Sequence, residues 1–195
     1  MPSTSSQMLP LGTPAPDFSL PDLDGKMVSP GDFKDARALL VMFVCNHCPF
    51  VVHVKDELTR LYDDYAPLVV GIVAINPNDA DEYPEDSPDA MRQRAEDWGW
   101  TFAYLYDEQQ AAAKAFRAAC TPDFFLFDSD RKLAYRGQLD GSRPGNGQPV
   151  TGADLRHALE AVLEGEMPNE EQAPSIGCSI KWKPGNAPNY AMGDF

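Results

Sequence analysis

The stretch from Ala38 to Cys45 is an eight-residue apolar run that stops at a cysteine. Its length and branched side chains predict a strand over Leu39 to Val44 with both faces buried. From Phe50 onward the pattern changes. Val51, Val54, Leu58, Leu61, Tyr62 and Tyr65 recur at helical spacing and lay one apolar stripe along a helix. The same alternation returns at Leu68 to Ile75, a second buried strand, and at Ser87-Pro88-Asp89, where an N-cap, a proline at the first helical position and an early acid predict a helix start. Buried strands alternating with helices define an α/β chain with a partly parallel central sheet, covered by helices on both faces.

The rest of the chain is consistent with that frame. Asp24-Gly25 predicts a hairpin turn between short strands near Phe18 to Leu20 and Lys26 to Val28. A short strand near Phe102 to Leu105 precedes an Ala-rich helix over about Gln109 to Ala119. Phe124 to Phe127 and Leu133 to Tyr135 read as a strand pair, and Ala153 to Glu164 as a last helix ending at Gly165. Met1 to Gly12 reads as a flexible arm, and Glu166 to Phe195, rich in Pro, Gly and Asn, as an irregular tail that wraps the domain.

Composition narrows the function classes. The 195 residues carry 16 Lys and Arg against 30 Asp and Glu, a net charge of −14 that repels a polyphosphate backbone and argues against nucleic-acid binding. The longest apolar runs hold eight residues, well short of the roughly 20 that a membrane helix needs. The N-terminal residues lack the basic start and apolar core of a secretory signal, so a cytoplasmic protein is expected. Four cysteines are too few for a disulfide scaffold, and two of them, Cys45 and Cys48, lie three positions apart.

That pair sits in Cys45-Asn46-His47-Cys48-Pro49, between the buried strand and the helix. A thiolate at a helix start faces unpaired N–H groups and the positive end of the helix dipole. On this reading Cys45 ionises more readily than a free thiol and exchanges with a disulfide, Cys48 resolves the mixed disulfide, and His47 biases the thiolate. Half a zinc site and two inert core thiols are the competing readings. No second CxxC or HxxxH exists to complete a zinc knuckle.

A strand ending in CxxC that opens a helix, followed much later by Thr121-Pro122 before another strand, resembles the thioredoxin fold. With its leading hairpin and the helix after Ser87, the chain resembles the extended thioredoxin, TlpA-like and peroxiredoxin branch. The strings CNHCPF at 45–50, AINPNDADEYPEDSPDAM at 74–91 and GCSIKWKPGN at 177–186 are similar to peroxiredoxin-like (AhpC/TSA) redoxin-domain proteins. The resemblance implies a thioredoxin fold with an N-terminal hairpin extension, and a redoxin domain over residues 13–165 between the arm and the tail. It also implies a cis Pro122 facing the cysteine pair, with Thr121 and Pro122 docking an extended substrate segment.

The expected activity is thiol-disulfide exchange with protein or small-molecule disulfides, regenerated by a cellular thiol reductant, without a cofactor or resident metal. A thiol peroxidase, antioxidant in effect, using Cys45 or Cys48 is the alternative. It lacks support from the peroxiredoxin pattern PxxxTxxC, whose Pro and Thr fall on Ala38 and Met42, or on Val41 and Cys45. A non-enzymatic metal-binding or scaffold module is a further alternative. Cys120 is a candidate accessory thiol or an inert core residue, and Cys178 a structural or unpaired thiol. Arg136 reads as a solvated edge-strand residue, or as a charged site group. His53 and His157 read as surface residues. Leu39 occupies the place of thioredoxin's buried acid, so another group has to handle the proton of Cys48. Asp79, Asp81, Glu82, Glu85 and Asp86 read as a solvated acidic loop.

Overall fold

The computed structural model describes residues 3–191. In chain order the elements are β1 (Ser3–Ser5), β2 (Leu20–Pro21), β3 (Met27–Val28), β4 (Ala38–Phe43), α1 (Pro49–Tyr65), β5 (Val70–Asn76) and α2 (Pro88–Trp98). There follow β6 (Ala103–Tyr106), α3 (Ala111–Ala115), β7 (Cys120–Thr121), β8 (Asp123–Phe127), β9 (Leu133–Gly137), α4 (Ala153–Glu164) and β10 (Ile176–Ser179). The central sheet has the order β6-β5-β4-β8-β9. β4, β5 and β6 run parallel, whereas β8 and β9 add an antiparallel half. β2 and β3 form the leading hairpin.

Every side chain of β4 is buried, and the pleat sends alternate residues to opposite faces. Leu40 and Met42 pack on one face with Val54, Leu58 and Leu61 of α1, Met91 of α2, and Leu155 and Leu159 of α4. Leu39, Val41 and Phe43 pack on the other with Phe116, Phe125, Phe127 and Val28. Burying each such side chain contributes about 1.5–3 kcal/mol. Phe116 is the hub of the second layer, with ring centroids 5.4 Å from Phe43 and 5.5 Å from Phe125, both edge-on. This two-sided core fixes the end of β4, and with it the position of the cysteine pair.

The local signals behave as the sequence predicts at α2, where the Ser87 hydroxyl accepts from the Ala90 N–H at 3.4 Å, and at α4, which ends on Gly165 in the left-handed region at φ 80°. Three expectations need correction. The Ala-rich helix spans only Ala111–Ala115. Asp107 accepts from the Ala111 and Ala113 N–H groups at 3.0 and 2.9 Å, fixing its start, and Arg117 at φ 52° breaks it so that the chain can turn back to β7. The tail is not wholly irregular, because β10 pairs antiparallel with β7 on one side and β1 on the other. The expected flexible arm is therefore tied down from Ser3, with Leu9 in the core; Met1 and Pro2 lie outside the described residues.

Candidate active site

β4 delivers the chain to Val44, whose N–H still bonds the Ile75 carbonyl at 3.0 Å. Cys45, Asn46 and His47 cross to α1, and Cys48 is the residue that caps it, with extended backbone (φ −70°, ψ 121°) and Pro49 at the first helical position. Facing the pair is Thr121, followed by a cis peptide bond to Pro122, as the resemblance implies. Thr121 touches both sulfurs. Its Oγ1 lies 3.4 Å from Cys45 Sγ, and its carbonyl accepts from Cys48 Sγ at 3.1 Å. All four cysteines are unpaired and buried. Cys45 is 1% exposed and Cys48 0%.

The ionisation runs opposite to the sequence expectation. Burial pushes the Cys45 thiol well above its ordinary value of 9.0, reinforced by the Cys48 sulfur and by the negative Asp86 carboxylate. Cys48 is lowered to about 5, first because Cys45 donates toward its sulfur, then through the Cys178 thiol and the Val51 and Cys178 N–H groups, against the cost of burial. The Thr121 carbonyl at 3.1 Å opposes ionisation of Cys48. The thiol and N–H groups around the sulfur outweigh that acceptor, which favours the charge of the pair on Cys48. α1 begins at Pro49, so its positive end lies at Cys48 and not three positions earlier at Cys45; Pro49 was the signal in the sequence that marked Cys48 as the cap.

His47 is held beside Asp86, with Nδ1 2.7 Å from Oδ2. The ring N–H does not point along that line, so the contact is an ion pair without a well-aligned hydrogen bond. The Asp86 carboxylate raises the His47 pKa above 6.5 against partial burial, and the ring stacks on Tyr83 at 5.5 Å. Asp86 itself is fully buried. Burial pushes its carboxyl up, but His47, Asn78 and the Asn46 N–H outweigh that and hold it below 3.8. The Asn46 N–H donates to Oδ1 at 2.7 Å and Asn78 Nδ2 to Oδ2 at 2.8 Å, while Tyr104 donates to Asn46 Oδ1 at 3.0 Å. The acidic loop is therefore not uniformly solvated: Asp81, Glu82 and Glu85 are exposed, whereas Asp79 and Asp86 are buried. Sequence reasoning missed Asp86; Asn76 and Asn78, amides following a buried strand, were the available hint.

Cys45, His47 and Asp86 also place a sulfur, a ring nitrogen and a carboxylate oxygen within 4.8 Å of one another. Thiolate and imidazole suit zinc or copper. Both Asp86 oxygens already accept hydrogen bonds, so a cation would have to displace His47 or the asparagines.

The remaining candidates separate from the pair. Cys120 points its thiol at the Pro122 and Ser175 carbonyls, 3.7 and 4.0 Å away, and burial raises its pKa well above 9.0, which makes it an inert core thiol. Arg136 is neither a solvated edge residue nor a site group, because its guanidinium donates to the Leu9 carbonyl and to Gln172 Oε1, each at 2.7 Å. His53 bonds Ser142 Oγ at 2.7 Å, and His157 is exposed. Leu39 belongs to the apolar layer opposite the pair. Cys178, read from sequence as a structural or unpaired thiol, is unpaired and buried, in the strand that pairs with Thr121; burial, and next the Cys48 sulfur, pushes its thiol up to about 12.

The sheet order, the cysteine pair at the mouth of α1 and the cis proline opposite it define a thioredoxin-fold redoxin. Residues 11–136 match the AhpC/TSA family, and the chain belongs to that family. It is similar, at 59% identity and TM-score 0.92, to the crystal structure of an uncharacterized conserved protein from Geobacillus kaustophilus, covering 94% of this chain and 98% of that one. Among curated proteins it resembles the thiol-disulfide oxidoreductase ResA of Bacillus thuringiensis subsp. konkukian (strain 97-27), at 26% identity over 83% of this chain and 81% of the relative. The fold is shared with the thioredoxin domain of a thiol-disulfide oxidoreductase from Bacteroides vulgatus, at TM-score 0.58 and 19% identity, covering 67% of this chain and 89% of that one. No helix among the described residues is long and apolar enough to cross a membrane.

Proposed function

We propose that the chain is a thiol-disulfide oxidoreductase in which Cys48 is the attacking sulfur and Cys45 the resolving one. The observation that carries this reading is the seat of Cys48 at the start of α1, where the neighbouring Cys45 and Cys178 thiols lower its pKa to about 5 and favour a thiolate at neutral pH. That thiolate attacks one sulfur of an outside disulfide, forming a mixed disulfide and releasing the other half as a thiolate that takes up a proton. The negative charge beside Cys45 is then gone, and one cause of its raised pKa goes with it. Cys45 loses its proton and attacks the Cys48 sulfur, closing the Cys45–Cys48 disulfide and expelling the second half of the substrate. His47, poised by Asp86 and within 4.8 Å of Cys45, takes that proton in its neutral form.

The substrate is a protein or small-molecule disulfide, and a cellular thiol returns the pair to the dithiol. Thr121 is the positioning residue, since one side chain and one carbonyl hold the two sulfurs. Insulin reduction with a thiol reductant tests the assignment of roles. Cys48→Ser is expected to abolish turnover, while Cys45→Ser combined with Cys178→Ser accumulates a mixed disulfide on Cys48. Retained turnover in Cys48→Ser, or a mixed disulfide that accumulates on Cys45 instead, overturns it.

A further inference from the structure

β10 lies along the backbone edge that an extended substrate segment needs. Cys178 pairs with Thr121 and Ser179 with Cys120, antiparallel, immediately before the cis proline. The Ser175 hydroxyl donates to the Pro122 carbonyl at 2.8 Å, and the Ile180 N–H donates to the Ala119 carbonyl at 3.1 Å, so the strand is anchored on both sides. Gly177 comes so close that a Cβ there would stand 2.0 Å from the Thr121 oxygen. This approach brings the Cys178 side chain into the apolar cluster that holds Cys45 and Cys48. Thr121, its partner across the strands, is also the residue whose carbonyl accepts from Cys48 Sγ at 3.1 Å.

We propose that Cys178 is a third redox thiol and that β10 is the chain's own substrate strand, with which Cys48 exchanges its disulfide. This rests on the dithiol reading above. After an outside disulfide has oxidised Cys45 and Cys48, the Cys178 thiol gives up its proton and attacks the Cys48 sulfur. A Cys48–Cys178 bond forms, the Cys45–Cys48 bond breaks, and the electron pair leaves on Cys45, which takes up a proton. Nothing is oxidised or reduced overall, so the step needs no further reactant. Cys120 has no part in it, because its thiol is turned to the Pro122 and Ser175 carbonyls.

Peptide mapping tests the proposal, because trypsin separates the thiols: Cys45 and Cys48 fall in peptide 38–55, Cys120 in 118–131 and Cys178 in 157–181. Reduced wild-type and Cys45→Ser proteins are treated with oxidised glutathione, quenched in acid, alkylated and digested without reduction. In Cys45→Ser the major oxidised species is expected to be peptide 38–55 linked to 157–181, with the loss of two hydrogens, and adding Cys120→Ser leaves that link in place. Glutathione on Cys48 with Cys178 alkylated, or Cys48 left unoxidised, overturns the proposal. Should Cys45→Ser lose its circular-dichroism signature, wild-type protein decides: the link must appear beside the internal disulfide of peptide 38–55, and its absence is equally fatal. Failure of the dithiol reading looks different, since wild type then forms neither bridge.

Discussion

Removing the Cys45 thiol should raise the Cys48 pKa by a calculable amount. Cys45 is the largest single contributor to holding Cys48 near 5, ahead of Cys178 and Val51. A hydrogen bond to a charged group is worth about 1.5–3 kcal/mol, and about 1.4 kcal/mol is one pKa unit. Cys45→Ala is therefore expected to move the Cys48 midpoint up by about 1 to 2 units. It stays below the ordinary 9.0 because the Cys178 thiol and two backbone N–H groups remain. Thiolate absorbance in the far ultraviolet, followed from about pH 4 to about pH 8, reads this without needing access to a buried sulfur and avoids most tyrosine ionisation. The signal should come from Cys48 alone, and Cys48→Ser should remove it. An unchanged midpoint in Cys45→Ala, or no wild-type transition below about pH 8, would refute the claim that the neighbouring thiols set the charge of Cys48.

Asp86→Asn is expected to drop the His47 pKa below 6.5, because burial then acts without the carboxylate; the ring-proton NMR titration checks it, and an unmoved midpoint removes Asp86 from the site. Since the native His47 pKa is raised, the pair's contribution to stability is fully present below pH 6.5 and fades as pH rises through the folded pKa. Gly177→Ala puts a Cβ into the Thr121 carbonyl, an overpacking that costs about 1–3 kcal/mol; the melting temperature should fall and iodoacetamide should label Cys178 faster, whereas unchanged melting and protection would contradict the close approach. Hydrogen peroxide should oxidise the reduced protein no faster than it oxidises free cysteine, because Val41 and Cys45 stand where a peroxidase places Pro and Thr relative to Cys48; stopped-flow tryptophan fluorescence measures it, and fast oxidation would favour the peroxidase.

What the sequence made legible is what short-range patterns encode. β4 and α1 follow from periodicity, α2 from Ser87 and Pro88, and α4 from its stripe and Gly165. The CxxC pair and Thr121-Pro122 carried the fold by resemblance. Illegible features depended on distant partners. Asp86 looks like its exposed neighbours until Asn46, Asn76 and Asn78, drawn from other parts of the chain, supply its hydrogen bonds. β10 is four residues long and pairs with segments at 3–5 and 120–121, so no local alternation announces it. Which sulfur carries the charge depends on register: a boundary uncertain by a few residues decides which of two cysteines three apart meets the helix end.

On the proposed reading, the arrangement around Cys48 links two roles, as thiolate and as disulfide partner, through the same neighbours. A thiol close enough to donate toward a thiolate is close enough to attack that sulfur once it carries a disulfide. Cys45 and Cys178 are the two thiols that lower the Cys48 pKa, and each has its own pKa raised first by burial and then by Cys48. While Cys48 is anionic, its neighbours are held as protonated donors and cannot compete as nucleophiles. Once Cys48 spends its charge on a foreign sulfur, that restraint is lifted from both neighbours, and resolution becomes easier at the moment it is needed. On that proposed reading, the order of events, attack before resolution, thus follows from electrostatics at one sulfur.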